Sequence, residues 1–541
     1  MATIETTRPR QLPLLRSPAE LWKVAPVAAA ALAGALYLVL APKTGDLAAH
    51  VFRSDLFGRY GLAVWNGDWY GGHHIPAYSI LFPPLAWAVG PAVAGVLAAL
   101  AAAAAFEPLA RRHFGDGARW GALWFGAATC SMLFTGRLPY ALGVALGLGS
   151  LLALQRRRTV AAVALALLTP LGSPVAGVFL AIAALAAGIT ARGGSARRAA
   201  LLVAAAGIVP TGLLAAAFPE GGHQPYAVET FLPVPVTAVL FVLLLPRGQR
   251  TLRIGVALYG LMALAAFVVP TPLGGNASRL GELFAGPVAL CALLGTRRSW
   301  ATPAALVALL AATGFWQLAA PVRAITNAED NQSRYRAYFR PLVDFLQDNS
   351  RPPGRVEVVF TDAHWESADV AIHVPIARGW ERQLDIGRNS LFYNGTLNAG
   401  TYRRWLEANA VRWVALPDTK LDYSAQQEAR LVRSGLPYLR LRWINPHWRV
   451  YEVTSPHSLV TSQGSARISA LSFGAEQVLL QVDRPGSALV RVRWTPYWIA
   501  KGACVQGDGG WTRITARRAG TVRMRIDFSP WRVFERGRRC A

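Results

Sequence analysis

Long apolar stretches recur through the first three hundred residues. They cover 22–41, 86–106, 118–134, 138–154, 159–171, 174–190, 199–217, 230–246, 253–270, 280–295 and 301–319, eleven in all. Several approach the ~20 residues that a helix needs to cross a bilayer, and others are shorter. Past Pro321 the pattern changes. Tyr335 to Leu346 sets aromatic and aliphatic residues at helical spacing, and Arg351-Pro-Pro-Gly354 stops it. Val356-Glu-Val-Val-Phe360 then reads as a buried strand. Thr401 to Ala410 reads as a helix, Val411 to Leu416 as a strand halted by Pro417, and Trp448 to Val453 as a further strand. This alternation predicts a small α/β unit. From 456 onward only strand signals remain, as in Gln477 to Val482 and Ala488 to Trp494, with turns such as Gly507-Asp-Gly-Gly510. The expected fold class is therefore a polytopic α-helical membrane protein of about eleven spans, followed by α/β and β-sandwich-like modules. The expected division is a cytoplasmic N-terminus (1–21), a transmembrane domain (22–320), an extracytoplasmic α/β module (321–455) and an extracytoplasmic β-rich module (456–541).

Charge sharpens that picture. Of 541 residues 53% are hydrophobic and only 16% charged, against roughly 25% charged in soluble proteins. The net charge is +25, from 55 Lys+Arg and 30 Asp+Glu. Residues 1–322 carry 23 of the basic residues and 10 of the acidic ones. Eighteen of those 23 fall in every second loop, among them Arg8, Arg10, Arg111, Arg112, Arg156 to Arg158, Arg197, Arg198, Arg250 and Arg297. The alternate loops hold only Lys43, Arg53, Arg59, Arg137 and Arg279. Basic loops mark the cytoplasmic side, so this alternation predicts an N-terminus inside and all residues after Pro321 outside. The first span has no small-residue cleavage site before Pro42 and Lys43, so it reads as a retained helix and not a signal peptide. The basic excess thus reports topology, and no nucleic-acid partner is expected. The Ala and Gly richness of the spans permits close helix packing, although a GC-rich genome would give the same composition. No repeat period stands out. Cys504 and Cys540 lie in the part expected outside, where a disulfide between them is predicted. Cys130 and Cys291 sit inside spans as packing residues, and no CxxC or Cys/His zinc pattern exists.

The first external loop, Lys43 to Pro84, is long in a half whose other loops are mostly short, and long loops in compact folds tend to be functional. Asp46, His50 and Arg53 stand at i, i+4 and i+7, so a helix here places them on one face. A carboxylate beside an imidazole at a membrane surface suits general-base work on a hydroxyl. Equally, Asp46 could cap the following helix. Asp55 is the next acid, a second site acid or a solvated residue. Asp68 is flanked by Trp69 and Tyr70, and Trp65 precedes it. These aromatics suit stacking on a sugar ring or an interfacial belt. His73 and His74 invite a metal with Asp46, but adjacent histidines chelate one ion poorly, so no metal and no cofactor is expected. Arg279, in Gly274-Gly-Asn-Ala-Ser-Arg279-Leu-Gly-Glu282, is a cation on the external side suited to a phosphate; a salt bridge to Glu282 is the alternative. Arg137 is the second candidate. In the α/β module, Asp362-Ala-His-Trp-Glu366 and Arg378-Gly-Trp-Glu-Arg382 fit either acceptor contact or the seam with the membrane half.

One N-terminal span, Asp46 just beyond it, His50 four residues on, Trp65-Asn66, Gly72-His73-His74 and Phe82-Pro-Pro84 entering the second span occur in that order. This order resembles the GT-C superfamily of integral-membrane glycosyltransferases, especially bacterial branches with a C-terminal extracytoplasmic domain. The resemblance implies a plasma-membrane enzyme that takes a sugar from a polyprenyl-phosphate-linked donor to an envelope glycan or glycolipid acceptor. It also implies an acidic catalytic residue in the first external loop, at the position of Asp46. Many members carry paired acids there, whereas Leu47 follows Asp46 here. Arg279, with Arg137, would hold the donor phosphate. A transporter or lipid flippase is a weaker fit, because such proteins place ionisable residues at mid-membrane. A non-catalytic envelope scaffold is the third reading.

Overall fold

The computed structural model describes residues 18–295, 303–326, 331–534 and 539–540. The expected cytoplasmic segment 1–21 falls almost wholly outside them, as do residues 301 and 302 of the last apolar stretch. The membrane half is helical: α1 (Pro18–Leu40), α2 (Gly45–Tyr60), α3 (Phe82–Val89), α4 (Pro91–Phe114), α5 (Ala118–Ala128), α6 (Cys130–Phe134), α7 (Leu138–Gln155), α8 (Thr159–Gly172), α9 (Pro174–Thr190) and α10 (Gly194–Ala217). It continues with α11 (Val228–Phe231), α12 (Pro233–Leu244), α13 (Arg250–Val268), α14 (Arg279–Gly295) and α15 (Pro303–Thr326). Proline opens α4, α9 and α12, where its missing N–H has no intrahelical partner to lose.

Among the described residues seven helical stretches are long and apolar enough to cross a membrane, with Pro91–Phe134 counted as one, and Thr159–Gly172, Pro174–Thr190 and Val228–Leu244 are shorter apolar ones. Each apolar stretch read from the sequence is mainly helical where it is described, with breaks at Gly90, Thr129 and Leu232 and non-helical ends at Ala41, Leu245 and Val269. Small residues do serve packing: a Cβ on Gly177 of α9 would fall 2.5 Å from the Gly207 carbonyl of α10, so the two backbones touch.

Beyond α15 the chain folds as α16 (Arg336–Asp348), α17 (Glu366–Asp369), α18 (Arg382–Arg388), α19 (Ala399–Ala408) and α20 (Gln426–Arg433) around a small sheet. Two short strands in the long loop between α2 and α3, β1 (Trp65–Asn66) and β2 (His73–His74), pair antiparallel. The sheet then holds β3 (Arg355–Val358), β4 (Val411–Pro417), β5 (Leu439–Ile444) and β6 (Trp448–Val453) in the order β3-β4-β6-β5, with β3 and β4 parallel and the other pairs antiparallel. Apolar side chains cover both sheet faces. Trp413, Ala415 and Val450 meet Phe339, Leu342 and Leu346 of α16, and that core runs on into Phe52 and Leu56 of α2 and Trp69 of the loop. Val411, Val414 and Leu416 meet Leu406 of α19 and Val432 of α20 on the other face. The module is therefore packed onto α2 and the loop after it through a shared core.

The C-terminal region is two antiparallel sheets built from β7 (Val460–Ser462), β8 (Arg467–Phe473), β9 (Gln477–Arg484), β10 (Gly486–Arg493), β11 (Trp498–Ala500), β12 (Ala503–Asp508), β13 (Trp511–Ala516), β14 (Gly520–Ile526) and β15 (Arg539–Cys540). Their orders are β15-β12-β13-β10-β7 and β11-β14-β9-β8. Alternate residues such as Val478, Leu480, Val490 and Ile514 fill the space between. A disulfide joins Cys504 to Cys540.

A buried ionic network lies inside the α/β module. Arg378, fully buried, meets Asp385 at 2.7 Å, Glu428 at 3.5 Å and Glu357 at 3.7 Å. Three carboxylates around one guanidinium leave excess negative charge. Burial, with Glu428 beside it, pushes Glu357 well above the usual carboxylate range, and burial lifts Glu428 to about 7. An acid raised in this way keeps a proton that the unfolded chain releases near ~4.3. Its stabilising contribution is whole below that pH and is lost as pH rises through about 7. The melting temperature is therefore expected to fall between pH 5 and 8, and Glu428→Gln to flatten that slope by an amount equivalent to about 1–3 kcal/mol. Thermal melts of the detergent-solubilised protein test this, and a melting temperature that rises with pH over that range would contradict it.

Candidate active site

Helix α2 begins directly after the end of α1. Thr44 occupies its N-cap position with extended backbone and no side-chain capping bond. Asp46 lies in the first turn, half-buried, and its carboxylate has no hydrogen bond or ion pair among the described residues. It is thus not the capping residue. The start of α2 sits against Gly136, whose φ is +74°. A Cβ there would fall 2.4 Å from the Thr44 hydroxyl and 2.9 Å from the Leu47 nitrogen. Glycine at 136 therefore sets how closely the turn before α7 approaches Asp46.

His50 and Arg53 follow on the predicted face. His50 is buried between the rings of Tyr78 and Phe82, with centroids at 5.7 and 5.6 Å. Burial, reinforced by Arg53 and Arg279, pushes its imidazole well below its usual range, against a backbone hydrogen bond at Gly136. His50 is thus neutral, and its Nε2 has no partner. Arg53 pairs with Glu381 of the α/β module at 3.0 Å and lies 4.2 Å over the Tyr78 ring.

The two candidate cations behave differently. Arg137, at the N-cap of α7, pairs with Glu282 of α14 at 2.7 Å. Glu282 also accepts from the Ser278 hydroxyl at 2.5 Å. The alternative pairing of Arg279 with Glu282 does not occur. Arg279, the first residue of α14, has no ion pair among the described residues, its Nε is buried without a partner, and its guanidinium lies 5.7 Å from the Tyr140 ring centroid. Asp46 is close enough to interact electrostatically with Arg137, Arg279 and Tyr78. The site thus holds one cation in an ion pair, Arg137, and one without, Arg279, and the Asp46 carboxylate interacts electrostatically with both.

Beneath it an apolar cavity of about 630 Å³ runs through the helices, walled by residues such as Phe106, Val144, Phe179, Phe241 and Phe284. Its few polar lining residues include His113, Gln155, Thr190, Tyr140 and Tyr259, and it is also lined by Leu280, next in sequence to Arg279. The Tyr140 hydroxyl donates to the Arg279 carbonyl at 3.4 Å.

The remaining residues singled out from the sequence lie away from this pair. Asp55 is nine residues from Asp46, on the opposite face of α2, where it interacts with Arg336, Arg59 and His373, and burial raises its carboxyl. Trp65 is buried in the β-module core, 6.0 Å from Trp498. Trp69 stacks on Phe52 at 4.4 Å and on His73 at 5.4 Å, and its indole N–H donates to the Ser367 carbonyl. Burial lifts Asp68 to about 7, against the pull of Arg59. Burial, with Arg53 next, holds His73 neutral. His74 Nδ1 is 2.6 Å from Glu220, its Nε2 is 2.9 Å from the Thr495 hydroxyl, and Glu220 also pairs with Arg388 at 2.7 Å. These side chains fasten the loop to both modules. Among the described residues no group of three or more His, Cys, Asp or Glu is placed to hold a metal ion. The polar segments of the α/β module line the same seam: Arg334 and the Trp365 indole donate to the Lys43 carbonyl, and Gly45 lies against Ala363 and Trp380. Tyr78, Tyr140 and Gly136 were not singled out from the sequence. A lone aromatic or glycine carries no local signal of the carboxylate it will face.

No protein-family model and no curated protein matches this chain. Two solved structures are similar to it over most of its length, both single-particle cryo-EM structures of the arabinofuranosyltransferase AftD from mycobacteria. One is 14% identical with a TM-score of 0.44 and covers 93% of this chain and 57% of that one. The other, a mutant, is 13% identical with a TM-score of 0.45 and covers 92% and 60%. The chain spans about three fifths of the structures that it matches.

Proposed function

We propose that this protein is a plasma-membrane glycosyltransferase that moves a sugar from a polyprenyl-phosphate-linked donor to an envelope glycan or glycolipid acceptor. The observation that carries this reading is the pair Asp46 and Arg279, opposite charges within electrostatic reach, each left without an ion pair while Arg137 is satisfied by Glu282. An uncompensated charge at a membrane boundary is costly and marks a ligand position. Asp46 takes the proton of the acceptor hydroxyl as its oxygen attacks the anomeric carbon. The bond from that carbon to the phosphate oxygen breaks, and the lipid phosphate leaves with its electron pair into the field of Arg279. The apolar cavity beside Arg279 accepts the lipid chain. His50, neutral and buried one turn along α2 between Tyr78 and Phe82, holds the Asp46 turn in place through its backbone hydrogen bond at Gly136. The step uses side chains alone and no cofactor. The sugar is a pentose or hexose.

The test is transfer by the purified chain in proteoliposomes supplied with polyprenyl-phosphate sugars. Arg279→Gln is expected to raise the donor KM about 10- to 100-fold, the loss of one charge-assisted phosphate contact of about 1.5–3 kcal/mol. An Arg279→Gln protein with unchanged donor KM, or no transfer from any such donor, overturns the reading.

A further inference from the structure

Apart from the loop that follows α2, the β module touches the membrane half at the end of one helix. α10 finishes at Ala217, whose carbonyl accepts from the Tyr497 hydroxyl at 2.7 Å. Phe218 stacks on Phe528 at 5.4 Å, and the short turn Pro530–Phe534 packs against α10. The face of α10 that reaches this point is apolar and open: Leu202, Val209 and Leu213 are each more than half exposed. That is a lipid-facing surface, and it leads straight to the β module.

From this fixed point two large side chains project outward. Trp531 is 76% exposed and Phe534 is 78% exposed, and Phe528 beside them is half-exposed. Across a cleft of about 290 Å³, lined by Leu62, Leu214, Phe218 and Phe528, the first external loop presents an exposed Leu62. Phe57 lines the same cleft and carries the exposed Trp87 at 5.7 Å. The exposed aromatic and aliphatic side chains therefore gather at the level where α10 ends. Exposed aromatics on a soluble surface are usually scattered singly, whereas Trp at a membrane boundary sits with its ring among headgroups. Basic charge lies close by in the chain: Arg523 and Arg525 are exposed on β14, the strand that leads into this turn, while Arg532 within the turn pairs with Asp527 at 2.6 Å. Such charge favours an anionic lipid surface.

We infer that Phe528–Phe534 is an interfacial anchor that seats the β module in the headgroup layer of the adjoining leaflet, with anionic phospholipid as its partner. Trp531 and Phe534 enter the interface, and the nearby arginines meet lipid phosphate. The anchor fixes the height of the module above the membrane, and so the position of the first external loop, whose Trp65 is buried in the module core.

The full chain in nanodiscs tests this. In a Cys130→Ala, Cys291→Ala background, Trp531→Cys and Phe534→Cys are made singly and labelled with a polarity-sensitive fluorophore. Tyr423→Cys, at a residue 62% exposed on the α/β module, is the reference. Spin-labelled lipid with its nitroxide near the headgroup is expected to quench both labels severalfold more than the reference. The effect should be stronger in discs containing phosphatidylglycerol than in phosphatidylcholine alone. Quenching at both positions equal to the reference overturns the anchor, and equal quenching in the two lipid compositions overturns the anionic partner. Two independent positions on an exposed turn keep the result interpretable if one variant misfolds.

Discussion

Replacing Asp46 by Asn is expected to lower sugar transfer by about 10²- to 10⁴-fold, the range for losing a positioned general base. The exchange keeps the shape of the side chain and removes its capacity to take a proton. Little else should change. Asp46 makes no hydrogen bond or ion pair among the described residues, so the folded state loses its favourable place at the positive end of α2, about 0.3–1 kcal/mol, and its longer-range attraction to Arg137 and Arg279. Membrane insertion, yield and melting temperature should match the parent within a few degrees, while donor KM is nearly unchanged and kcat collapses. That split separates Asp46 from Arg279, whose loss acts on donor binding. Transfer at parental rate in Asp46→Asn would remove the base from the scheme.

Arg378→Met should be the most damaging single change outside the membrane half. It deletes the one guanidinium that faces Asp385, Glu428 and Glu357, all fully buried. Breaking a buried ion pair from one side costs about 3–5 kcal/mol, because the partner charges remain in a poor solvent. The loss should be pH-dependent. Glu428 sits at about 7 even beside Arg378 and holds its proton to still higher pH without that cation, so the defect is smaller at pH 5 and largest at pH 8. Thermal melts and limited proteolysis across that range check both the size and the sign. Adding Asp385→Asn and Glu428→Gln should recover part of the stability, since neutral amides remove the repulsion. A defect of equal size at pH 5 and pH 8 would mean that packing, not charge, is what Arg378 supplies. Transfer should be lost along with folding, because this module and α2 share one apolar core.

Much of the architecture was written locally. A bilayer forces backbone polar groups to bond within each segment, so membrane helices must be contiguous apolar runs, and such runs are visible in one dimension. The strands at Val356, Val411 and Trp448 were visible for a similar reason, since a buried strand between Gly and Pro stops needs a short apolar stretch. The face shared by Asp46, His50 and Arg53 followed from helical period alone.

The partners of these residues were not written locally. Arg279 and Glu282 are three apart on one helix, which suggests a salt bridge, yet Arg137 from the neighbouring α7 reaches Glu282 at 2.7 Å and leaves Arg279 uncompensated. Trp65, Trp69 and His74 looked like ligand contacts because the sequence shows only that they are aromatic and outside the spans. The fold gives Trp69 a partner at Ser367 and His74 a partner at Thr495. So the sequence by itself determined the helices, the strands and the candidate acid, because these depend on spacing within one segment. Which charge is neutralised and which aromatic is buried was decided only by tertiary structure, because an ion pair or a packing contact depends on distance between segments hundreds of residues apart.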